Sequence, residues 1–405
     1  MKTQDRTPTP LEEGPTWGES LRRQVQQTVR TFVEDLVEAE LAGVLGAAPW
    51  ARADARVGYR HGAKARTLST KDGPVTLTLP RARLFAADGA TTEWASAAVP
   101  RYQRRAPDVD ATVLRCYLGG VNQRRMAAAL RPLLQGVPLS KSAVSRVVGR
   151  LTAACEAWRE RSLATEDIID LLCDGFHVKV RLGGKMVGVP VLAVLGVRRS
   201  GEKVLLALEL AGSESTDAWA GVVVGLVARG LRAPILAIID GAPGLRAALG
   251  QAWPKLEIQR CTVHKARNLL AKAPAGLRSE VAEDYHAFVY AETAEAVREG
   301  YARFLRKWDK KCPGVAASLR EAGEDLLTFT KFPPSQWKAL RTTNALERLN
   351  QEFRRRVKTQ GGFPSEAAVL TVLYGLVASG FVRYRRMDGW EDQAEVILAF
   401  RKQAA

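Results

Sequence analysis

Cysteine is scarce in this 405-residue chain: Cys116, Cys155, Cys173, Cys261 and Cys312 are odd in number, widely scattered and without a C-x-x-C pair. That usage argues against a disulfide framework or a zinc ribbon and leads us to expect a reducing cytoplasm. Long apolar runs are missing too. The most apolar stretches, 187–197 and 221–228, fall short of the roughly 18–20 residues that span a bilayer. A secretory leader is not expected, because residues 1–15 are polar and carry Pro8, Pro10 and Pro15. His61, His177 and His286 share no common spacing, and neither a G-x-x-x-x-G-K-[ST] phosphate loop nor a Ser-His-Asp signature occurs. Acidic residues are outnumbered: 43 Asp+Glu face 60 Lys+Arg, leaving a formal charge of +17. Composition is otherwise ordinary for a globular protein. A field this positive favours polyanionic partners, and an intracellular protein that meets nucleic acid is the first expectation.

The length suggests two to four domains. Residues 1–50 hold one helix from Glu19 to Leu45, with Val25, Val29, Phe32, Val33, Leu36 and Val37 at helical spacing and Pro49 beyond its end. Residues 51–107 form a basic segment whose clear strand, Val75–Leu79, follows an Asp72-Gly73 turn. Its cations, Arg60, Lys64 and Arg66 among them, suit either a solvated surface or a β platform gripping phosphates. Residues 108–165 read as a helix-turn-helix: a helix over 123–134, a turn at 135–138, and a second helix from Lys141 capped by Ser140. Val144, Val147, Val148 and Leu151 would pack, leaving Ser142, Ser145, Arg146 and Arg150 to read a major groove. From 166 to 405 the pattern is α/β. Strands are expected over 169–181, 186–197, 203–210, 234–239 and 257–260, with an all-helical insertion at about 268–338 and a helix over 344–358.

Three carboxylates sit where this plan would place chemistry: Asp174 inside the first strand, Asp240 at the end of the fourth, and Glu347 in the first turn of the late helix. A carboxylate in an apolar strand is costly unless it is paired or binds a cation. Oxygen ligands suit Mg²⁺ or Mn²⁺, two of which could stabilise the attacking and leaving oxygens of a phosphate displacement. Plainer readings remain open. Asp-Gly is a common turn dipeptide, and Asn344 with Glu347 makes a capping box. Arg348, Arg354, Arg355, Arg356 and Lys358 form a basic tract beside Glu347 that suits a phosphodiester. Cys261 and His264 make a C-x-x-H pair with no second pair of ligands in view, which speaks against a complete zinc site.

Four blocks, in order, carry a resemblance: Asp174-Gly-Phe-His-Val-Lys-Val-Arg181, Ile239-Asp-Gly-Ala-Pro-Gly-Leu-Arg246, Gln259-Arg-Cys-Thr-Val-His-Lys-Ala-Arg-Asn268 and Thr342-Thr-Asn-Ala-Leu-Glu-Arg-Leu-Asn350. They resemble the mutator-type transposase family of bacterial insertion sequences, over about residues 52–390. The resemblance implies a ribonuclease H-like mixed sheet flanked by helices, with Asp174, Asp240 and Glu347 as a DDE triad holding two Mg²⁺ or Mn²⁺ ions. It implies that Cys261 and His264 lie near that site, and that a tryptophan of the insertion region, Trp308 or Trp337, can pack against DNA, with packing in the protein core as the plainer reading of both. The N-terminal half would recognise the terminal inverted repeats of the element. The implied partner is double-stranded DNA, bound by a homodimer in a bacterial cytoplasm, at the nucleoid. Two rivals stand beside strand cleavage and joining: a nuclease of the same fold that cuts without joining, and a DNA-binding regulator without catalysis.

Overall fold

The computed structural model describes residues 17–51, 53–54, 56–134, 139–182, 184–360 and 363–404. They divide into two compact units, Met1–Val148 and Gly149–Ala405.

In the first unit, α1 (Trp17–Leu45) lies on a sheet of β1 (Gly58–Thr70), β2 (Gly73–Phe85) and β3 (Thr91–Glu93), antiparallel in the order β1-β2-β3. The β1–β2 hairpin turns at Gly73, whose φ of 106 demands glycine. Alternation then does the packing. Val75, Leu77 and Leu79 are buried and Thr76 and Thr78 are exposed, so one face of β2 meets Val37 of α1. Ala82 joins Leu41 and Leu45 in a second cluster. The apolar stripe expected along α1 is split. Val37 is buried, whereas Val25, Val29, Phe32 and Leu36 are exposed.

The unit continues through α2 (Pro107–Leu118) and α3 (Met126–Leu134) into α4 (Lys141–Glu160). The expected turn at 135–138 lies outside the described residues. Ser140 caps α4, its Oγ accepting from the Ala143 amide at 3.1 Å. Val144, Val147 and Val148 are buried, while Ser142, Ser145, Arg146 and Arg150 face outward.

The second unit is a mixed α/β structure. Its strands are β4 (Ile168–Leu182), β5 (Lys185–Arg198), β6 (Lys203–Leu210), β7 (Leu236–Ile239) and β8 (Glu257–Arg260). All five expected strands form. They lie in the order β6-β5-β4-β7-β8, with β4–β5 and β5–β6 antiparallel and β4–β7 and β7–β8 parallel. Between β6 and β7 runs α5 (Thr216–Ala228), and between β7 and β8 runs α6 (Pro243–Ala252). These two helices cover one face: Leu171 and Cys173 of β4 and Ala237 and Ile239 of β7 share a core with Trp219, Leu226, Leu245 and Trp253.

After β8 come α7 (Thr262–Lys272), α8 (Arg278–Val289), α9 (Ala294–Lys311), α10 (Pro313–Ala322) and the short α11 (Trp337–Leu340), with no strand among the described residues of this block. Next, α12 (Asn344–Gln360) crosses the other face of β4, with the Phe353 and Phe176 rings 5.3 Å apart. It is followed by α13 (Glu366–Ala378) and α14 (Gln393–Ala404), and no helix of the described residues is long and apolar enough to cross a membrane. Because side chains alternate along a strand, Asp170, Leu172, Asp174 and Phe176 all point to the face that α12 and α14 cover. Gln393 of α14 reaches Asp170 there, and Asn350 of α12 reaches Asp174.

Candidate active site

In the parallel ladder the last pair is Cys173 with Ile239, so Asp174, still within β4, and Asp240, just past the end of β7, follow the same rung. There β7 ends while β4 continues against β5 alone. The Asp240 carboxylate accepts from the Ala242 amide at 3.0 Å, and Pro243 then starts α6. Gly241 between them has a φ of 102, and a Cβ there would lie 2.1 Å from Nε of Arg260, so no other residue fits. This Asp-Gly is a turn former and still presents its carboxylate beside Asp174. The two readings of the dipeptide are compatible.

Asp174 is 5% exposed. Its Oδ1 accepts from the Gly175 amide at 2.9 Å, and its Oδ2 faces Nδ2 of Asn350 at 3.5 Å. Burial pushes its pKa up to about 7; the nearby His264 opposes the rise, and the negative charges of Asp240 and Glu347 add to it. Asp174 on β4 therefore feels the charge of one carboxylate just past β7 and of another on α12.

Glu347 sits one helical turn before Asn350 on α12. Its Oε1 lies 3.4 Å from Nε2 of His264 and 3.1 Å from Nη1 of Arg267, so the carboxylate turns toward α7. The start of α7 is fixed by the sheet: Cys261 donates its amide to Ile239 at 2.7 Å, and Thr262 donates to Arg341 at 2.9 Å. Burial raises the Cys261 thiol, but hydrogen bonds with His264 and Thr343 outweigh it and leave the pKa lowered. The same bond to Cys261, working against burial and helped by Asp174 and Glu347, raises His264 to about 9. Cys261 and His264 thus lie close together beside the carboxylates, with Nδ1 of His264 buried and without a hydrogen-bond partner among the described residues.

Asp174, His264, Arg267, Glu347, Asn350 and Arg354 line one cavity of about 190 Å³. Arg267 and Asn350 were not singled out in the sequence. Both lay inside quoted blocks, each three residues after a chosen one on the same helix, and that spacing was the signal available. Among the described residues no group of three or more His, Cys, Asp or Glu side chains is already arranged to hold a metal ion. The Glu347 carboxylate is engaged by His264 and Arg267 of α7.

The other expected residues fall into distinct environments. Arg60 is tied to Glu38 and to the Ala47 carbonyl, and Arg66 donates to the carbonyls of Val99, Pro100 and Gln103, so both brace the first unit. Lys64 is exposed on β1. On α12, Arg348 and Arg354 are exposed and Arg355 pairs with Glu352, while the side chains of Arg356 and Lys358 lie outside the described residues. The two tryptophans require a correction. Trp308 is fully buried and donates to Asp284, and Trp337 is buried and donates to the Phe332 carbonyl, so neither offers a ring face to DNA. Their indoles serve the helical core, the burial expected of so large an apolar surface.

A mixed α/β unit with acidic side chains converging at a strand end is a framework on which many hydrolases and phosphotransferases are built. Sequence comparison narrows the class. Residues 17–385 match the family model described as Transposase, Mutator family. The chain is 32% identical over 380 residues to the transposase for insertion sequence element ISRM5 of Rhizobium meliloti, covering 92% of this chain and 93% of that one. It is 35% identical to the transposase for IS1081 of Mycobacterium tuberculosis, over 86% of this chain and 82% of the relative. A Lactococcus lactis transposase for IS905 is 30% identical over 84% and 85% of the two chains. This chain belongs to the Mutator family of transposases, enzymes that process DNA.

Proposed function

We propose that the protein is a DDE transposase that binds the terminal inverted repeats of an insertion sequence, cuts the DNA at the element ends and joins them to new DNA. The second unit would be its ribonuclease H-like catalytic core. Supporting that fold reading are the central β4, antiparallel to β5 on one side and parallel to β7 on the other, and the helical block before α12. The observation that carries the chemistry is the placement of Asp174 and Asp240 each one residue beyond the last pair of the β4–β7 ladder, with Glu347 on the helix packed over β4.

Asp174, Asp240 and Glu347 offer oxygen donors only, which suits Mg²⁺ or Mn²⁺, and their mutual repulsion is what a divalent cation would relieve. A pair of such ions would supply activation of the attacking hydroxyl and stabilisation of the leaving oxygen. The chain's own residues do the rest. Arg267 and Arg354 line the cavity as positive groups for a phosphodiester, and Arg267 would exchange Glu347 for the phosphate as the carboxylate turns inward. His264, protonated near neutral pH, holds Glu347 close until then. Phe176 packed against Phe353 holds the helix that carries Glu347 and Asn350.

The test uses the full chain with DNA bearing its element's ends. Asp174→Asn, Asp240→Asn and Glu347→Gln should each abolish Mg²⁺-dependent nicking while end binding in gel shifts stays as in wild type. Nicking at the wild-type rate by any two of them would overturn the assignment. Pre-cut ends offered with target DNA separate the rival: strand-transfer product supports a transposase, and its absence alongside nicking supports a nuclease.

A further inference from the structure

One side chain of this cavity is unexplained by packing. Asn350 is 8% exposed, and its Oδ1 is buried with no hydrogen-bond partner among the described residues. Its Nδ2 makes only a long contact, 3.5 Å, to Asp174. A buried amide oxygen left without a donor carries a desolvation penalty, so folds keep such groups paired unless something else uses them. The neighbourhood would have accepted an alternative. The adjacent stripe of α12, Leu346, Leu349 and Phe353, is wholly apolar and buried, and a leucine at 350 would continue it. Instead the chain sets an amide at the cavity wall, one turn after Glu347 and against the carboxylate of Asp174.

An amide oxygen is a hard, neutral donor. It adds a ligand for a small divalent cation without adding to the repulsion that already raises Asp174. A fourth acid at this position would deepen that repulsion in the metal-free protein. An asparagine avoids it, and its amide, once turned over, would offer an oxygen where Nδ2 now faces Asp174. We propose that Asn350 is a further cation-site residue, its Oδ1 completing the oxygen set around Asp174. The inference rests on the proposed metal-dependent chemistry and extends it to a residue outside the three acids.

The test measures Mn²⁺ binding to the full chain by electron paramagnetic resonance of the free ion, alongside thermal unfolding without metal. Asn350→Leu should weaken Mn²⁺ binding by about tenfold or more, the scale typical of altered metal surroundings. The same variant should unfold no lower than wild type in metal-free buffer, because it removes an unsatisfied polar group from a buried site. A purely structural asparagine would give the opposite pair: lower melting and unchanged Mn²⁺ affinity. Asn350→Asp, which keeps the shape and an oxygen, should retain Mn²⁺ binding. Two failures are distinct. If Asp174→Asn loses Mn²⁺ while Asn350→Leu binds as wild type does, the inference about Asn350 is overturned and the acidic site stands. If neither Asp174→Asn nor Asn350→Leu changes Mn²⁺ binding, the cation reading of the whole cavity falls with it.

Discussion

Asp170 is buried on the same face as Asp174, four residues earlier, and its one polar contact described is from Nε2 of Gln393 at 3.1 Å. Burial pushes its pKa from 3.8 up to about 7, against the small lowering by that hydrogen bond. The folded protein therefore keeps a proton that the unfolded chain releases near pH 4. Its contribution is most favourable below that pH and is lost as the pH rises toward 7. Asp170→Asn should melt close to wild type at pH 4.5 and more stably at pH 8, by up to about 4 kcal/mol, since each pKa unit is worth about 1.4 kcal/mol. Thermal melts at the two values check this; a difference that does not change with pH would refute it. Asp170 belongs to the fold, whereas Asp174, four residues further along β4, opens into the cavity.

Among the elements, α12 couples packing to chemistry. Phe353 is fully buried against Phe176 and carries the helix that brings Glu347 and Asn350 to β4. Phe353→Ala should cost about 3–5 kcal/mol in urea unfolding and reduce nicking at temperatures where the protein is still folded. Arg354→Ala, exposed one residue later, should leave the urea midpoint unchanged within error. The five strands of the second unit were legible because each is a short apolar or alternating run bounded by turn residues, and the helical block because nothing in it alternates. The first unit was legible at Val75–Leu79 for the same reason. What could not be read was which charges are already engaged. Arg60 and Arg66 look like a phosphate grip in one dimension, but the partners that absorb them, Glu38 and the carbonyls near Val99, come from other elements. The tryptophans misled similarly: an isolated indole in a charged helix says nothing about which face is covered. Asn350 was hidden because an asparagine three residues after a glutamate has no meaning until β4 is laid against it.

For the molecule as a whole, the +17 charge and membership of a DNA-processing family give a prediction that sorts structural from contacting cations. Binding of element ends should fall steeply with salt, because each neutralised phosphate releases counterions. Lys64→Ala and Arg146→Ala, both exposed, should each flatten the slope of log K against log salt by about 1 and leave thermal stability nearly unchanged. Arg66→Ala should instead lower the melting temperature, because three backbone carbonyls lose their donor. Binding isotherms at several salt concentrations decide this, and equal slopes for all three variants would remove Lys64 and Arg146 from the contact surface.

The order in which the carboxylates appear along the chain has a bearing on how the protein is made. Both aspartates leave the ribosome early, while the glutamate emerges only after the entire strand-free block has been translated. A polypeptide aborted in between would possess the amino-terminal unit yet lack the third acid. On the proposed reading such a fragment would keep the repeat-recognising half and lack an acid that cutting needs.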